Sequence, residues 1–337
     1  MAWRGLVVVV ACTAALAAVV TAAHAAAAGA GGEATVFATV DGEAITVEEL
    51  EAGVQSGIRQ RYFHGRVPEE GVAALRREVA HSLIDRLLLA REARRRGLKP
   101  EAAWVEAQLG QLEARLKADP RWEPHRASVL ADARRQLDDD SVIAQLRQQV
   151  EAVPAADGAA VREYYRAHPD KFTTPERMRV SMILLKVEPW APGAAWAAAE
   201  EEAGRLRERL RDGADFAELA RLHSADPSAE RGGDLGYVHR GMFSVETQAV
   251  IDALAPGGLS EPVRLLQGFG LFRLDDRVPP RLNEFAQAEE RARGLLRRER
   301  QEAAWEALRA GLRKNARIEI DEAALDAGER RGADPRR

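Results

Sequence analysis

Cysteine is all but missing. The single one, Cys12, lies inside an N-terminal apolar run, which excludes an intramolecular disulfide, a CxxC redox pair and a multi-cysteine zinc site. Aromatic residues are scarce, at 5% of 337 residues, while Ala and Leu abound, and that balance favours helix-rich packing over a large β-sandwich or barrel. Positive charge is not in surplus: 49 Lys and Arg against 53 Asp and Glu leave a net charge of −4. Acids are interleaved with the arginines in strings such as REARRRG and RLRERLRDG, so these read as solvated helix faces and nucleic acid is not an expected partner. The seven histidines, at 24, 64, 81, 125, 168, 223 and 239, show no metal-ligand spacing, and neither metal nor cofactor is expected. Gly232-Gly233 is not followed by Lys-Ser/Thr and has no Rossmann spacing, so it reads as a turn rather than a phosphate cradle.

Long hydrophobic runs are confined to the start of the chain. Arg4 precedes an uncharged stretch whose strongly apolar part runs from residue 6 to residue 20, followed by Ala23-His24-Ala25, a small-x-small cleavage pattern. Residues 1–25 therefore read as a signal peptide, and the rest as extracytoplasmic, in a bacterial periplasm. Left uncleaved, the same segment would be a transient membrane anchor, although it falls short of the ~20 residues a span needs. Lipidation at Cys12 is a third option, opposed by the apolar run continuing past it.

The mature chain predicts an α+β protein in which helices carry most of the mass. Residues 35–45 (TVFATVDGEAI) alternate around Asp41-Gly42, a hairpin signal, and Thr46-x-x-Glu49 is a capping box opening a helix. Val72, Leu75, Val79, Leu83, Ile84, Leu87 and Leu88 line one face of a long helix closed by Gly97. Further helical patterns follow, punctuated by Pro120, Pro124 and Pro154. A mostly helical module thus spans 34–160. The pattern then changes: 177–187 (RMRVSMILLKV) reads as a buried strand, and helices over 193–211 and 216–223, the second N-capped by Asp215, precede three more short strands. That α+β unit spans 175–277. Residues 281–321 return to a long helix and a short strand, whose apolar stripe is expected to pack on the N-terminal module, and 322–337 read as a disordered tail.

The order of elements and the local strings resemble the parvulin-type peptidyl-prolyl isomerases, specifically the exported foldases of the PpiC and SurA kind. ATVDGEAITVEEL and LIDRLLLAREARRRGL look like the opening hairpin-helix and long Leu-rich helix of the SurA N-terminal module. Gly213-Ala214-Asp215-Phe216, His223-Ser224-Ala225-Asp226, Gly232-Gly233-Asp234-Leu235-Gly236 and Gly268-Phe269 match the rotamase region in order and spacing. The resemblance implies a SurA-like helical chaperone module completed by the C-terminal helix, with an inserted parvulin-like domain built on a four-stranded antiparallel sheet with helices.

Isomerising an X-Pro bond breaks no covalent bond; it lowers a rotation barrier of ~18–20 kcal/mol by favouring the twisted amide over either planar form. An apolar proline pocket suffices, because the twisted amide is less polar at oxygen. The resemblance implies Asp226 as the catalytic position, held by Cys or Asp in parvulins, and Met182, Leu235, Phe243, Thr247, Phe269 and Gly270 as the substrate-binding set. Three of these depart from the family: Met182 and Gly270 stand where it has histidines, and Thr247 where it has a large apolar residue. Without the resemblance, Asp226 before Pro227 reads equally as a turn cap, and His223 as a helix-end residue rather than a substitute base. Two functions follow as expectations. One is an isomerase acting on proline-containing unfolded polypeptides of the cell envelope. The other is a chaperone that holds such clients while its rotamase domain is weak or inactive.

Overall fold

The computed structural model describes residues 35–61, 69–120 and 122–326. The signal segment 1–25 and the end of the tail, 327–337, lie outside the described residues. The described residues fall into two compact units, one made of those within Met1–Ala155 and Leu295–Arg337, the other of Ala156–Gly294.

The first unit opens with the hairpin β1 (Val36–Val40) and β2 (Glu43–Thr46). Its turn places Asp41 at φ 50 and Gly42 at φ 87, the pair of left-handed residues that a two-residue turn matching strand twist requires. The capping box forms as the spacing predicts: Thr46 N–H donates to Glu49 Oε2 at 2.8 Å and Glu49 N–H to Thr46 Oγ1 at 3.2 Å, starting α1 (Val47–Arg61). Then come α2 (Glu69–Arg95), α3 (Ala102–Leu116) and α4 (Trp122–Val150). Gly97, at φ 79, ends α2, with Leu98 N–H reaching back to the Ala93 carbonyl at 3.0 Å.

The C-terminal part of the chain completes this unit. Trp305 of α9 (Phe285–Asn315) packs with Leu89, Ala90 and Ala93 of α2 and with Val142 and Leu146 of α4. Arg309 and Arg313 both donate to Asp85, a buried carboxylate of α2. The strand β9 (Ile318–Ile320) then pairs antiparallel with β1, Ala38 opposite Ile320 and Val40 opposite Ile318. The tail corrects the sequence reading at its start. Residues 322–326 are a short helix, α10 (Glu322–Asp326), because Ala324 and Leu325 bury against Phe37, Leu50 and Ile84 and leave water only on that condition.

The second unit begins at α5 (Gly158–Ala167), N-capped by Asp157, and a 3-10 turn over Pro169–Phe172. A two-residue ladder pairs β3 (Thr173–Thr174) with β8 (Arg281–Leu282), and the rings of Tyr164 and Tyr165 pack on Phe172, with Phe285 edge-on to Tyr165. These contacts place α5 in this compact unit, whereas the sequence reading assigned residues to 160 to the helical module. Between the two halves of the ladder lies a four-stranded sheet in the order β5-β4-β7-β6, antiparallel throughout. Its strands are β4 (Arg177–Lys186), β5 (Asp234–His239), β6 (Val263–Leu265) and β7 (Gly268–Val278). The helices α6 (Gly193–Arg211) and α7 (Phe216–His223) follow β4 in the chain, and α8 (Val245–Asp252) follows β5.

Strand alternation divides this core in two. Met178, Val180, Met182 and Leu184 of β4 share one face with Phe272, Leu274, Val238 and Ile251. Ile183 shares the other with Phe269 and Leu271 of β7 and with Ala203, Leu206, Phe216, Leu219 and Ala220 of α6 and α7. Gly233 enters β5 at φ 82, where a Cβ would stand 2.6 Å from the Met182 carbonyl oxygen. Only glycine permits that approach.

Candidate functional site

The C-terminal half of β4 organises the site. Beyond Ser181 its free edge is taken up by a loop instead of β5: Met182 N–H donates to the Gly233 carbonyl at 2.8 Å, Leu184 N–H to Ser224 Oγ at 3.0 Å, and Ala225 N–H to the Leu184 carbonyl at 2.8 Å. Asp226 is the next residue, partly buried, so these hydrogen bonds set its backbone beside this end of the sheet. On the other side of β4, Gly270 of β7 lies opposite Leu184. The loop carrying Asp226 and Gly270 of β7 thus lie on opposite sides of β4.

The carboxylate of Asp226 is engaged. It accepts the Ser228 N–H at 2.8 Å and N-caps the 3-10 turn over Pro227–Arg231, the turn role that residue type and a following proline suggest. Asp234, at the start of β5, is held below the ordinary carboxylate range by a hydrogen bond from the Arg179 guanidinium, with the Gly236 N–H adding to it. It anchors the strand.

The structure brings together Met182, Leu235 and Phe243 on one face of the sheet. Met182, 9% exposed, and the fully buried Phe272 make the floor, and the partly buried Leu235, Phe243, Val263 and Leu265 make the accessible rim. Phe243 meets Phe272 edge-on, with ring centroids 5.7 Å apart.

Gly270 is on this same face, and its missing side chain is accounted for. A Cβ there would lie 2.9 Å from both Leu265 Cδ1 and Phe272 Cε2. The volume that a histidine would take is filled by hydrocarbon. With Met182 at the neighbouring strand, the face has no imidazole pair and no acid–base couple.

Two sequence-predicted members fall elsewhere. Phe269 points to the opposite face, where it packs in the α6–α7 core with its ring 6.1 Å from Trp196. Consecutive residues of a strand face opposite ways, so Phe269 and Gly270 cannot line one pocket. Thr247 is 3% exposed. Its N–H donates to Ser244 Oγ at 3.3 Å and its own Oγ1 accepts the Ser244 hydroxyl at 3.2 Å, completing the N-cap of α8.

Phe272, Val263 and Leu265 were missed, and the period-2 pattern of GFGLFRL could have found the first, since Gly270, Phe272 and Leu274 recur on one side. His223 Nδ1 lies 3.7 Å from Glu202 Oε1 on α6, a helix-end contact. No group of His, Cys, Asp or Glu able to hold a metal ion is found among the described residues.

With this geometry in hand, comparison with known proteins defines the class. Residues 183–276 match the family described as the PPIC-type PPIASE domain, and residues 2–152 match the SurA-like N-terminal domain. The chain is therefore similar, module by module, to SurA-like foldases that carry a parvulin-type rotamase domain. Among individual relatives, the "Chaperone SurA" of Albidiferax ferrireducens is 36% identical over 150 residues, covering 44% of this chain and 32% of that protein. The "Chaperone SurA" of Saccharophagus degradans is 27% identical over 248 residues, 71% of this chain and 56% of that protein. The chain thus spans about a third to a half of the length of these curated relatives. Among solved structures, a SurA-like chaperone of Campylobacter jejuni is 18% identical, with a TM-score of 0.37 over 85% of this chain and 100% of that one.

Proposed function

We propose that this protein is an exported foldase that binds proline-containing segments of unfolded envelope or secreted polypeptides on the Met182–Leu235–Phe243–Leu265–Phe272 face and isomerises their X-Pro bonds beside Asp226. One observation carries this reading: an apolar sheet face with a partly buried rim lies on β4, to whose end the loop carrying Asp226 is hydrogen-bonded. Such a face takes a proline ring out of water. It also favours the less polar, twisted amide over the planar forms, and no proton transfer is needed. The matched PPIC-type domain supports the reaction class. The matched SurA-like N-terminal domain supports a client-holding role for the helical unit. Arg4, the apolar run over 6–20 and Ala23-His24-Ala25 support action outside the cytoplasm, and no helix among the described residues is long and apolar enough to cross a membrane.

A second reading has its own support. Hydrocarbon fills the space beside Gly270 and thioether replaces imidazole at Met182, so binding without appreciable turnover, by a chaperone with a silent rotamase domain, fits the same face. Exchange NMR on an Ala-Phe-Pro-Phe peptide separates the two. Cis/trans exchange faster than in buffer, and slowed by Phe243→Ala, supports the isomerase; line broadening without accelerated exchange supports the holdase; neither effect sinks both.

A further inference from the structure

Phe243, on the rim of the candidate site, belongs to a loop whose two ends are both bonded to one short helix. Gly241 N–H donates to Gln248 Oε1 at 3.4 Å, and Ser244 Oγ accepts the Thr247 N–H at 3.3 Å, both partners being on α8. Gln248 is 7% exposed, and its Nε2 also donates to Asp252 Oδ1 at 3.0 Å, at the far end of the same helix. Arg240, at the head of the loop, closes the ring by reaching Asp252 Oδ2 at 2.9 Å. Residues 240–252 thus form one body, and where that body sits decides where the Phe243 ring sits.

Ile251 and Arg277 hold that body to the sheet in different ways. Ile251 is fully buried in the cluster of Met178, Val180 and Phe272, a contact without direction that lets a short helix slide or roll. Arg277 of β7 supplies the direction. Its Nη2 is shared among the carbonyls of Ile251, Asp252 and Leu254 at 3.2, 3.1 and 3.2 Å, and its Nη1 donates to Glu176 Oε1 at 3.0 Å. A guanidinium there meets carbonyls that lack partners within the helix, at the negative end of its dipole, and its planar fork fixes an angle as well as a distance. None of these bonds ends on Met182, Leu235, Phe243, Leu265 or Phe272.

We infer that Arg277 is a positioning residue: by fixing the C-terminal end of α8 it aims the Phe243 ring at Phe272, and so sets how tightly the face holds a proline segment without touching the client. This rests on the peptide-binding reading of the site and deepens it. The charge of Arg277 is answered by Glu176 and by main-chain carbonyls, so it acts through geometry and not through a field on the peptide.

The test is a double-substitution cycle on the full chain, with the Kd of an Ala-Phe-Pro-Phe peptide read by NMR titration and folding checked by circular dichroism. Phe243→Ala should weaken the peptide about tenfold. Arg277→Met, which keeps the apolar stem and removes the fork, should weaken it about fivefold. Arg277→Lys, which retains a charge but not the fork, should weaken it about threefold, and it decides the cycle by itself should Arg277→Met not fold. In the Phe243→Ala background either Arg277 substitution should cost less than about twofold more, because the ring it aims is gone. General loosening of the domain would cost the same factor in both backgrounds. A fluorophenylalanine in place of Phe243 should also show a shifted or broadened fluorine resonance when Arg277 is replaced. Unchanged affinity in a folded Arg277 variant, an equal loss with and without the Phe243 ring, or an unmoved fluorine resonance overturns the inference and leaves the site reading intact. Peptides that bind Phe243→Ala as tightly as wild type overturn the site reading, and this inference with it.

Discussion

The ring of Phe272 occupies the space into which a side chain at Gly270 would grow, with Cε2 2.9 Å from the position of a Cβ. The two residues share one face of β7, and Gly270 is buried beneath Phe272 and Leu265. A histidine introduced at 270 alone therefore overpacks a closed face. Gly270→His should destabilise the protein by about 1–3 kcal/mol, read as a lower urea midpoint at unchanged m. Combining Met182→His with Gly270→His should raise kcat/KM on a proline peptide above wild type. A double variant that stays folded yet is no faster would show that the missing imidazoles do not limit turnover.

Asp226 combines a cap with a charge, and two substitutions separate them. Asparagine keeps an oxygen for the Ser228 N–H, whereas alanine orphans it at 2.8 Å. Asp226→Ala should cost ~0.5–2 kcal/mol of stability and Asp226→Asn a few tenths. Equal loss of isomerisation in both variants would assign the charge to turnover. Activity retained in Asp226→Asn and lost in Asp226→Ala would leave the residue a turn cap only.

The returning helix is latched through Asp85, which receives Arg309 and Arg313 while Trp305 fills the adjoining core. Trp305→Ala should cost ~3–5 kcal/mol by leaving a cavity. Asp85→Ala should cost ~1–3 kcal/mol, because both guanidiniums lose a charged acceptor yet can still reach water. Increased proteolysis between residues 295 and 320 would report release of the helix; an unchanged digest of Trp305→Ala would refute the latch.

Acid should weaken the first unit through Glu92. A hydrogen bond from Arg95, aided by Arg96, holds this carboxylate at about 2 against an ordinary 4.5. Its folded value lies below its unfolded one, so the stabilisation is complete above pH 4.5 and is lost as the pH falls toward 2. In Glu92→Gln the Tm should be lower at pH 6 and converge on wild type near pH 2, measured by calorimetry. Parallel curves across that window would show that the ion pair contributes nothing.

Gly233 is the position where backbone geometry is least negotiable in the site. A Cβ there meets the Met182 carbonyl oxygen at 2.6 Å, and φ is 82. Gly233→Ala should therefore cost more than the ~1 kcal/mol of an unfavourable left-handed alanine alone. It should also weaken peptide binding, by shifting the strand that carries Leu235. Wild-type binding and stability in this variant would contradict the close approach.

Local chemistry was legible in the residues alone wherever one element could state its own case. The capping box at Thr46 and Glu49, the Asp41-Gly42 turn, the Asp215 cap, and the helix over Gly193–Arg211 all depend on neighbours a few positions apart. The candidate site was legible only in part. Met182, Leu235 and Phe243 do share a face, but Phe269 was assigned to it by order in a motif when strand alternation turns it away. Thr247 was counted as a pocket wall, and proved to be half of a helix cap.

By itself the amino-acid order determined the helices, the turns, the alternating strands and the absence of metal-binding or redox cysteine clusters, because those follow from periodicity, capping and composition. Only the tertiary structure decided that Ile320 pairs with Ala38, that residues 322–326 earn a helix by burying Leu325, and that Phe272 closes the gap beside Gly270. Such facts depend on pairing register and on volume shared between distant segments, and neither quantity is a property of any one stretch of chain.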